Sequence, residues 1–383
     1  MSLMISSRSA QLTLVQKFLQ INWGLLILLA AVASVGFAML YSAAGGDMQP
    51  WASRQMVRFS LGIGLMIGVA MIDPRIWMRY AYVIYGVAVA MLVWVDVAGV
   101  IGMGAQRWIV VGPISLQPSE IMKVAIVMVL ARYFHGLSHE QVGRPQYLLW
   151  PLLLIALPAG LVMVQPDLGT ATMLTLTGGA LFFLAGVRIW KFILVGIAGL
   201  AAMPVLWHFL REYQKQRIRT FLNPENDPLG PGYHILQSKI ALGSGGIFGR
   251  GYLEGSQSHL NFLPEKQTDF IFTMLAEEFG LVGGLALLTL YILVICYGYA
   301  IALRSRSQFS RLLALGLVTM FSLYVFINTG MVMGLLPVVG VPLPLVSYGG
   351  TSMLSLLFSF GLIMGTYIHR DVTIGRNGGS EAS

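Results

Sequence analysis

Charged side chains are scarce in this chain: Asp, Glu, Lys and Arg make up 10% of its 383 residues, whereas 56% are hydrophobic. Soluble domains carry about 25% charged residues, so the composition excludes a soluble globular fold. Apolar windows long enough to cross a bilayer recur about ten times. We therefore predict an all-α polytopic membrane protein with about ten transmembrane helices. The predicted spans are 23–41, 57–72, 77–97, 118–135, 148–164, 170–186, 189–209, 270–300, 310–333 and 350–369.

Cysteine is nearly absent as well. The single Cys296 excludes a disulfide within the chain, and its apolar surroundings predict a buried thiol. The six histidines lack the spacing of metal ligands, so the sequence predicts no dedicated metal site. The glycine-rich run 243–251 has no Gly-Lys-Ser/Thr ending and no strand–helix–strand unit around it, which excludes a nucleotide-binding loop.

The net charge of +8 fits membrane orientation better than a nucleic-acid partner. With the N-terminus inside, the inner segments hold thirteen Lys and Arg residues, while the short outer loops hold only Arg54, Arg58 and Arg107. This asymmetry predicts that both termini are cytoplasmic and that the long loop 210–268, between helices 7 and 8, lies outside. We predict one transmembrane domain over 1–370 and a short cytoplasmic tail over 371–383.

The stretch 259–280 carries the strongest candidate site. A polar loop runs into a long apolar helix, with Thr268 as the predicted N-cap and Asp269 at the junction. Asp269 has two interpretations, a helix cap favoured by the helix dipole or a functional carboxylate. Glu277 and Glu278 lie about two turns deeper, where a charge costs about 2.5–3.5 kcal/mol at the centre of a membrane helix. Three acids so close together indicate a polar cavity behind this helix.

Two further polar clusters lie at predicted helix ends. Glu120 and Lys123 are spaced i, i+3, which predicts a buried ion pair facing the cavity just inside the outer boundary. Pro118 marks the start of that helix and Ser119 is its predicted N-cap. Asp167 sits in a tight outer turn, where it is either a helix cap or a residue of the cavity.

The last outer loop, 334–352, has no charge and is rich in Pro and Gly. Such a stretch is typical of a re-entrant segment packed inside the protein. The loop 210–268 is instead rich in basic residues, and short interfacial helices are expected within it, one of them over 233–242. Another interfacial helix is expected over 13–20, before the first span.

Four segments in combination resemble the SEDS family (shape, elongation, division and sporulation), over about residues 23–370. They are Gln117-Pro118-Ser119-Glu120, Phe221-Leu222-Asn223-Pro224, Leu263-Pro264-Glu265 with Thr268-Asp269-Phe270-Ile271-Phe272, and Pro342-Leu343-Pro344 with Ser347-Tyr348-Gly349-Gly350-Thr351-Ser352. Within the family, the chain is more similar to the cell-elongation branch than to the division branch.

The resemblance implies a peptidoglycan glycosyltransferase of the bacterial inner membrane, with its active site facing the periplasm. Such proteins polymerise lipid II, an undecaprenyl-diphosphate-linked disaccharide-pentapeptide, into glycan strands. The implied partners are a class B penicillin-binding protein, which cross-links the strands, and the elongation machinery. Asp269 falls on the essential aspartate of the family.

The residues fit this chemistry. In the family's reaction a sugar 4-hydroxyl displaces a diphosphate, an α-linked donor becomes a β-linked product, and such an inversion needs one base, for which we select Asp269. The leaving diphosphate needs cations, and a Mg²⁺ or Mn²⁺ ion arriving with it is compatible with carboxylate chemistry. The substrate-binding candidates are Arg58, Arg107, Glu120, Lys123, Asp167, Arg211, Arg217, Arg219, Lys239, Glu265 and Ser347.

Two other classes of function account for parts of the sequence. A lipid II flippase would use Glu120, Asp167, Glu277 and Glu278 as a charged path, but it also needs matched polar groups in the inner half, which the sequence lacks. A structural scaffold for a partner enzyme leaves the buried acids without a purpose.

Overall fold

The computed structural model describes residues 13–102, 105–112, 114–209, 212–224, 231–259 and 265–375. Within these ranges, ten helices of 16 to 33 residues form one bundle. Each coincides with a predicted span, and the bundle is that of a multi-pass membrane protein. Numbered with the shorter helices in chain order, they are α2 (Trp23–Ala43), α3 (Ala52–Ala70), α4 (Pro74–Ala98), α5 (Pro118–His135), α7 (Leu149–Val164), α8 (Leu168–Ala185), α9 (Ile189–Phe209), α13 (Ile271–Leu303), α14 (Gln308–Val332) and α15 (Gly350–Ile368).

Not all ten helices are equally suited to a bilayer. Within the described part of the chain, six apolar segments are long enough and apolar enough to cross a membrane, including α2, α4, α13, α14 and α15. The predicted number of ten spans therefore stays a prediction, while the all-α polytopic class is confirmed.

Helices α5 and α14 form the centre of the bundle. Both are buried along most of their length. Helix α14 packs on α5, α8, α13 and α15, and α15 in turn packs on α3. Helix α9 is exposed on almost all sides. The arrangement surrounds two central helices with apolar outer faces, as lipid requires.

The shorter helices connect or flank the long ones, and one of them, over 231–244, packs on α13. The predicted interfacial helices over 13–20 and 233–242 are present as helices, and Thr13 caps the first with a capping box. The bounds are α1 (Leu14–Leu19), α6 (His139–Val142), a 3₁₀ turn (Pro145–Tyr147), α10 (Glu212–Leu222), α11 (Pro231–Ser244) and α12 (Ser256–His259).

A small antiparallel sheet fills the outer loop between α4 and α5, where the sequence predicted only a loop. Its strands are β1 (Val100–Gly102), β2 (Ala105–Val111) and β3 (Ile114–Leu116), with β2 in the middle. The β-branched run Ile109-Val110-Val111 favours the extended backbone. The sheet carries Arg107 to the end of the bundle where α13 begins, which we call the mouth.

The Pro- and Gly-rich segment between α14 and α15 packs inside the protein, as predicted. It is non-helical, and Val341, Leu343, Leu345 and Val346 are buried. The Tyr291 hydroxyl donates a hydrogen bond of 2.6 Å to the carbonyl of Pro344 in this segment. We call residues 333–349 the re-entrant segment.

Two local expectations are wrong. Cys296 is exposed, because it lies on the outward apolar face of α13 rather than on the face toward α14. Ser119 is not a cap: Gln117 holds the N-cap position of α5, and Pro118 is already the first helical residue. The pre-set backbone angle of proline starts the helix two residues before the predicted cap would.

Candidate functional site

Asp269 lies at the mouth, in a turn that ends directly before α13. Phe270 holds the N-cap position and makes no side-chain capping bond. The prediction of Thr268 as the cap is therefore wrong, and Asp269 is not a cap either. Instead, the Thr268 hydroxyl donates to the carbonyl of Glu265 at 3.2 Å, which closes the turn on itself. The Asp269 carboxylate is left available for another role.

The turn around Asp269 is fixed to the re-entrant segment from two sides. The Asn328 side-chain amide, on α14, donates both to the carbonyl of Asp269 at 3.0 Å and to that of Val341 at 2.8 Å. The buried Ser347 hydroxyl donates to the carbonyl of Thr268 at 2.5 Å. These bonds satisfy backbone carbonyls of the turn. They fix Asp269 relative to α14 and to the re-entrant segment.

The surroundings of Asp269 raise the pKa of its carboxyl. Burial raises its pKa from 3.8 to about 6; the negative charges of Glu265 and Asp167 add to the effect, and the positive charge of Arg217 opposes it. A Cβ atom on Gly340 would lie 3.5 Å from Asp269 Oδ2, so the carboxylate faces the re-entrant segment. Asp269 is thus a carboxylate whose pKa lies near the neutral range, at the mouth of the bundle.

Asp167 joins this site through its charge. It is the N-cap of α8, accepting from the Thr170 amide and the Thr170 hydroxyl, each at 3.0 Å, so the cap interpretation is confirmed. It also lies 3.7 Å from Arg107 Nη1. Arg107 donates in addition to the carbonyls of Gln165 and Pro166, at 3.3 and 2.7 Å. Most of the Arg107 guanidinium is therefore used to hold the Asp167 turn against β2.

Glu120 and Lys123 form the predicted ion pair, with 2.7 Å between Lys123 Nζ and Glu120 Oε1. Their exposed fractions are only 5% and 3%. The Tyr324 hydroxyl, on α14, donates to Glu120 Oε2 at 3.1 Å and also contacts Lys123 Nζ. The pair is thus closed off by a third side chain. Contact between this pair and a substrate stays a prediction.

Helix α13 is broken at Gly280, whose backbone (φ 66°, ψ −162°) is accessible mainly to glycine. The break would leave backbone groups unpaired in an apolar bundle. The amides of Arg250 and Gly251 donate to the carbonyls of Glu277 and Glu278 at 3.0 and 3.1 Å. The glycine-rich run 245–251 therefore completes the hydrogen bonds of the interrupted helix, as non-helical backbone at membrane depth requires.

The two acids before the break are buried and hydrogen-bonded. Glu277 Oε1 accepts from the Gln257 amide at 2.8 Å and lies 3.4 Å from the Ser256 hydroxyl. Glu278 Oε1 accepts from the Ser42 hydroxyl of α2 at 2.5 Å. Both carboxylates connect α13 to other segments. The short half-helix that starts beside Asp269 is thereby held in place.

Two more of the predicted substrate ligands, Arg58 and Lys239, lie beside the re-entrant segment. The Arg58 guanidinium lies over the Tyr348 ring, 4.8 Å from its centre, beside the buried Ser347. The Lys239 side chain packs against Gly334 at the other end of the re-entrant segment. Both cations therefore border the segment that faces Asp269.

Two other basic candidates come from the long loop. Arg219 is exposed, lies 4.0 Å from Glu212, and stacks over Trp207. Arg211 lies outside the residues that the structure describes. Of the cations on α10, Arg217 is the one whose charge acts on Asp269.

Sequence reasoning missed Tyr324 and Asn328. They are spaced i, i+4 on α14, so they share a face, one against the Glu120 pair and one against the Asp269 turn. A signal was available, because a fully buried Asn inside an apolar helix needs hydrogen-bond partners. Their partners were not readable, since they depend on how α14 packs.

No group of three or more His, Cys, Asp or Glu side chains in the described ranges is arranged to hold a metal ion. At the mouth, Glu265 and Asp167 are the acids whose charges act on Asp269, and Asp167 is already used as a cap and as a partner of Arg107. A hard cation would need further oxygen ligands from a substrate.

Known proteins match this chain over nearly its whole length. The model of the FtsW, RodA and SpoVE family, described as cell cycle proteins, matches residues 16–371. The chain is 45% identical to the peptidoglycan glycosyltransferase MrdB of Escherichia coli K12 over 354 residues, covering 90% of this chain and 93% of that one.

Two solved structures share the fold. One is a chain of a peptidoglycan synthase complex, with a TM-score of 0.79 and 33% identity, covering 91% of this chain and 98% of that chain. The other is RodA of Thermus thermophilus, with a TM-score of 0.68 and 30% identity, covering 91% and 97%. The chain therefore belongs to the SEDS family of FtsW, RodA and SpoVE proteins.

Proposed function

We propose that this chain, a peptidoglycan glycosyltransferase of the RodA type, polymerises lipid II with Asp269 as the catalytic base. The observation that carries the proposal is a carboxylate with a pKa of about 6, fixed at the mouth and facing the re-entrant segment. At pH 7 such a group is mostly ionised. It is also a stronger base than an ordinary Asp, which suits it to accept a proton.

The reaction is a single displacement. The 4-hydroxyl oxygen of the acceptor sugar attacks the anomeric carbon of the donor while Asp269 takes the hydroxyl proton. The bond between that carbon and the diphosphate oxygen breaks, and the diphosphate leaves with the electron pair. One attack inverts the anomeric centre, which gives a β-linked product from an α-linked donor.

Cations at the mouth stabilise the leaving diphosphate. Arg217 is the strongest candidate, because its charge already acts on Asp269. Arg58 and Lys239 border the re-entrant segment, whereas Arg107 serves mainly to hold the Asp167 turn. A Mg²⁺ or Mn²⁺ ion fits only if the diphosphate supplies most of its oxygen ligands. Asp269 and Glu265 would be the candidate carboxylate ligands from the protein.

The test is glycan synthesis from lipid II by the purified full-length chain and by Asp269→Asn. The substitution keeps the shape but removes the base, so product formation should fall about a hundredfold or more. Asp96→Asn makes the same change at the end of α4, at the same end of the bundle, and should keep its activity. A well-folded Asp269→Asn protein with near wild-type turnover would end the assignment and reopen the flippase interpretation.

Stability in the same preparations separates a base from a structural residue. The folded pKa of about 6 lies above the ordinary 3.8, so this carboxyl contributes stability below pH 3.8, and the contribution is lost as the pH rises through 6. At pH 8, Asp269→Asn should therefore unfold at the same or a higher temperature than the wild type. The advantage should vanish near pH 4.

The mouth faces the periplasm in this proposal, with both termini in the cytoplasm. Gln216 is exposed on α10, so Gln216→Cys in a Cys296→Ala background gives one accessible thiol on the long loop. An impermeant thiol reagent should label it from the periplasmic side. Labelling from the cytoplasmic side alone would reverse the orientation.

The partner in this proposal is a class B penicillin-binding protein. The solved structure of the peptidoglycan synthase complex supports it, because a chain of the same fold is part of that assembly. Glycan synthesis by the chain alone and by the chain with this partner is the comparison to make. Equal rates under the same conditions would contradict activation by the partner.

A further inference from the structure

A cavity of about 400 Å³ lies at the opposite end of the bundle from Asp269. It is formed where α5 and α8 end and α14 begins, and the segment that follows α15 closes it. Gln308 and Asn328 are 20 residues apart on α14, which places the two sites about 30 Å from each other. The volume is in the range of small-molecule sites, roughly 300–1,000 Å³.

Two buried side chains in the wall of this cavity have polar atoms without partners. Ser307 is 3% exposed and His135 is 7% exposed. Within the described residues, neither Ser307 Oγ nor His135 Nδ1 makes a hydrogen bond, whereas His135 Nε2 lies 3.2 Å from the carbonyl of Gly375. A buried polar atom without a partner is costly, so a polar ligand in the cavity would relieve both.

The start of α14 adds uncapped backbone donors. Ser307 is the N-cap residue, yet its side chain makes no capping bond. The first amides of a helix lack partners within the helix and carry its positive dipole end. An anion bound beside Ser307 would accept from these amides as well as from the hydroxyl.

Two arginines complete the lining. Arg306 precedes the helix, and Arg311 contacts the Gln308 side chain in its first turn. The ends of α5 and α8 also reach the cavity with their negative dipole ends, each equivalent to about half a charge. Asp371, 73% exposed, lies 3.6 Å from Arg306 Nε but is not part of the cavity wall. Among the described residues of the wall there is no carboxylate, so Arg306 and Arg311 carry its charge, while Asp371 offsets part of the charge of Arg306 from outside.

We propose that this cavity binds a phosphate group, held by Ser307, the first amides of α14, Arg306 and Arg311. Phosphate fits because it offers several acceptor oxygens to hydroxyl, amide and guanidinium donors together. Its source is either an anionic phospholipid headgroup or free phosphate. The site is separate from Asp269 and does not depend on the assignment of the base.

The experiment measures thermal unfolding of the purified full-length protein in detergent. One series adds sodium phosphate against sodium chloride at equal ionic strength. A second adds dioctanoyl-phosphatidylglycerol against dioctanoyl-phosphatidylcholine. Because a ligand that binds the folded state raises its melting temperature, at least one anionic probe should give a saturable rise. A response to phosphate indicates the free ion, and a response to phosphatidylglycerol alone indicates the headgroup.

Matched variants locate the effect. Ser307→Ala and Arg306→Gln should raise the midpoint concentration of the responding probe about tenfold or more. Ser305→Ala removes another buried hydroxyl without a partner, and Arg304→Gln removes another exposed arginine, but neither residue lines the cavity. Both controls should keep the wild-type midpoint.

Ser307→Ala loses no hydrogen bond, so without added anion it should be at least as stable as the wild type. A merely structural Ser307 would instead lower the melting temperature and leave the response unchanged. No response to either probe, or equal midpoints in cavity variants and controls, would overturn the proposal.

Discussion

Glu120 and Asp269 are two carboxylates in the same bundle, and they are held in opposite ways. Glu120 is 5% exposed, lies 2.7 Å from Lys123 Nζ, and accepts from the Tyr324 hydroxyl. Among the described residues, no ion pair holds the Asp269 carboxylate. The bonds at Asp269 are made to its backbone carbonyl, by Asn328.

The difference separates a carboxylate that supports the fold from one that is available to react. An ion pair with a third hydrogen-bonding side chain satisfies the Glu120 charge and fixes its position. At Asp269 the backbone is fixed, but the charge of the carboxylate is not satisfied, because two other acids lie near it. The side chain is well positioned, its pKa is raised to about 6, and its proton affinity is suited to a base.

The largest effect that tests this comparison is the loss of one partner from the buried pair. Lys123→Met leaves Glu120 buried without its cation, which should cost about 3–5 kcal/mol of stability. The double variant Glu120→Gln/Lys123→Met should recover much of that loss. Thermal unfolding of all four proteins in one detergent gives the double-mutant cycle. Additive losses would mean that the two side chains do not interact. Glu120 would then not be a carboxylate that supports the fold through an ion pair.

The bundle was largely predictable, because long apolar runs report membrane helices directly. The second span was predicted as 57–72 and forms 52–70, and the sixth was predicted as 170–186 and forms 168–185. The break at Gly280 was not predicted. Hydropathy continues through it, and only the packing of run 245–251 against α13 makes a non-helical residue stable there.

The site was half predictable. Asp269, Asp167 and the Glu120–Lys123 pair carry signals in the sequence, as charges at helix ends or at i, i+3 spacing. The N-cap of α13 is Phe270 instead of Thr268 for a tertiary reason, since Ser347 and Asn328 donate hydrogen bonds to the carbonyls of the preceding turn. Such long-range partners have no local signature.

A smaller effect sharpens the Asp269 side of the comparison. A base with a pKa of about 6 must be ionised to accept a proton, so turnover should be level above that pH. Below it, turnover should fall about tenfold for each pH unit. The measurement is the pH profile of glycan synthesis, with thermal unfolding at each pH as the control for stability. A profile that is level down to pH 4 would contradict Asp269 as a base with this raised pKa.

The smallest expected effect is a shift of that profile by neighbouring charges. Arg217 lowers the pKa of Asp269, so Arg217→Gln should raise it and move the acid limb to higher pH; Glu265→Gln should move it to lower pH. Each shift should be at most about one pH unit. Arg219→Gln, on the exposed side of α10, is the matched control and should leave the limb in place.

Arg217 is also our candidate for the diphosphate, so its variant should lower the rate at every pH, whereas the position of the limb reports the charge on Asp269 alone. Shifts of the same sign in both variants would show that the limb belongs to another group.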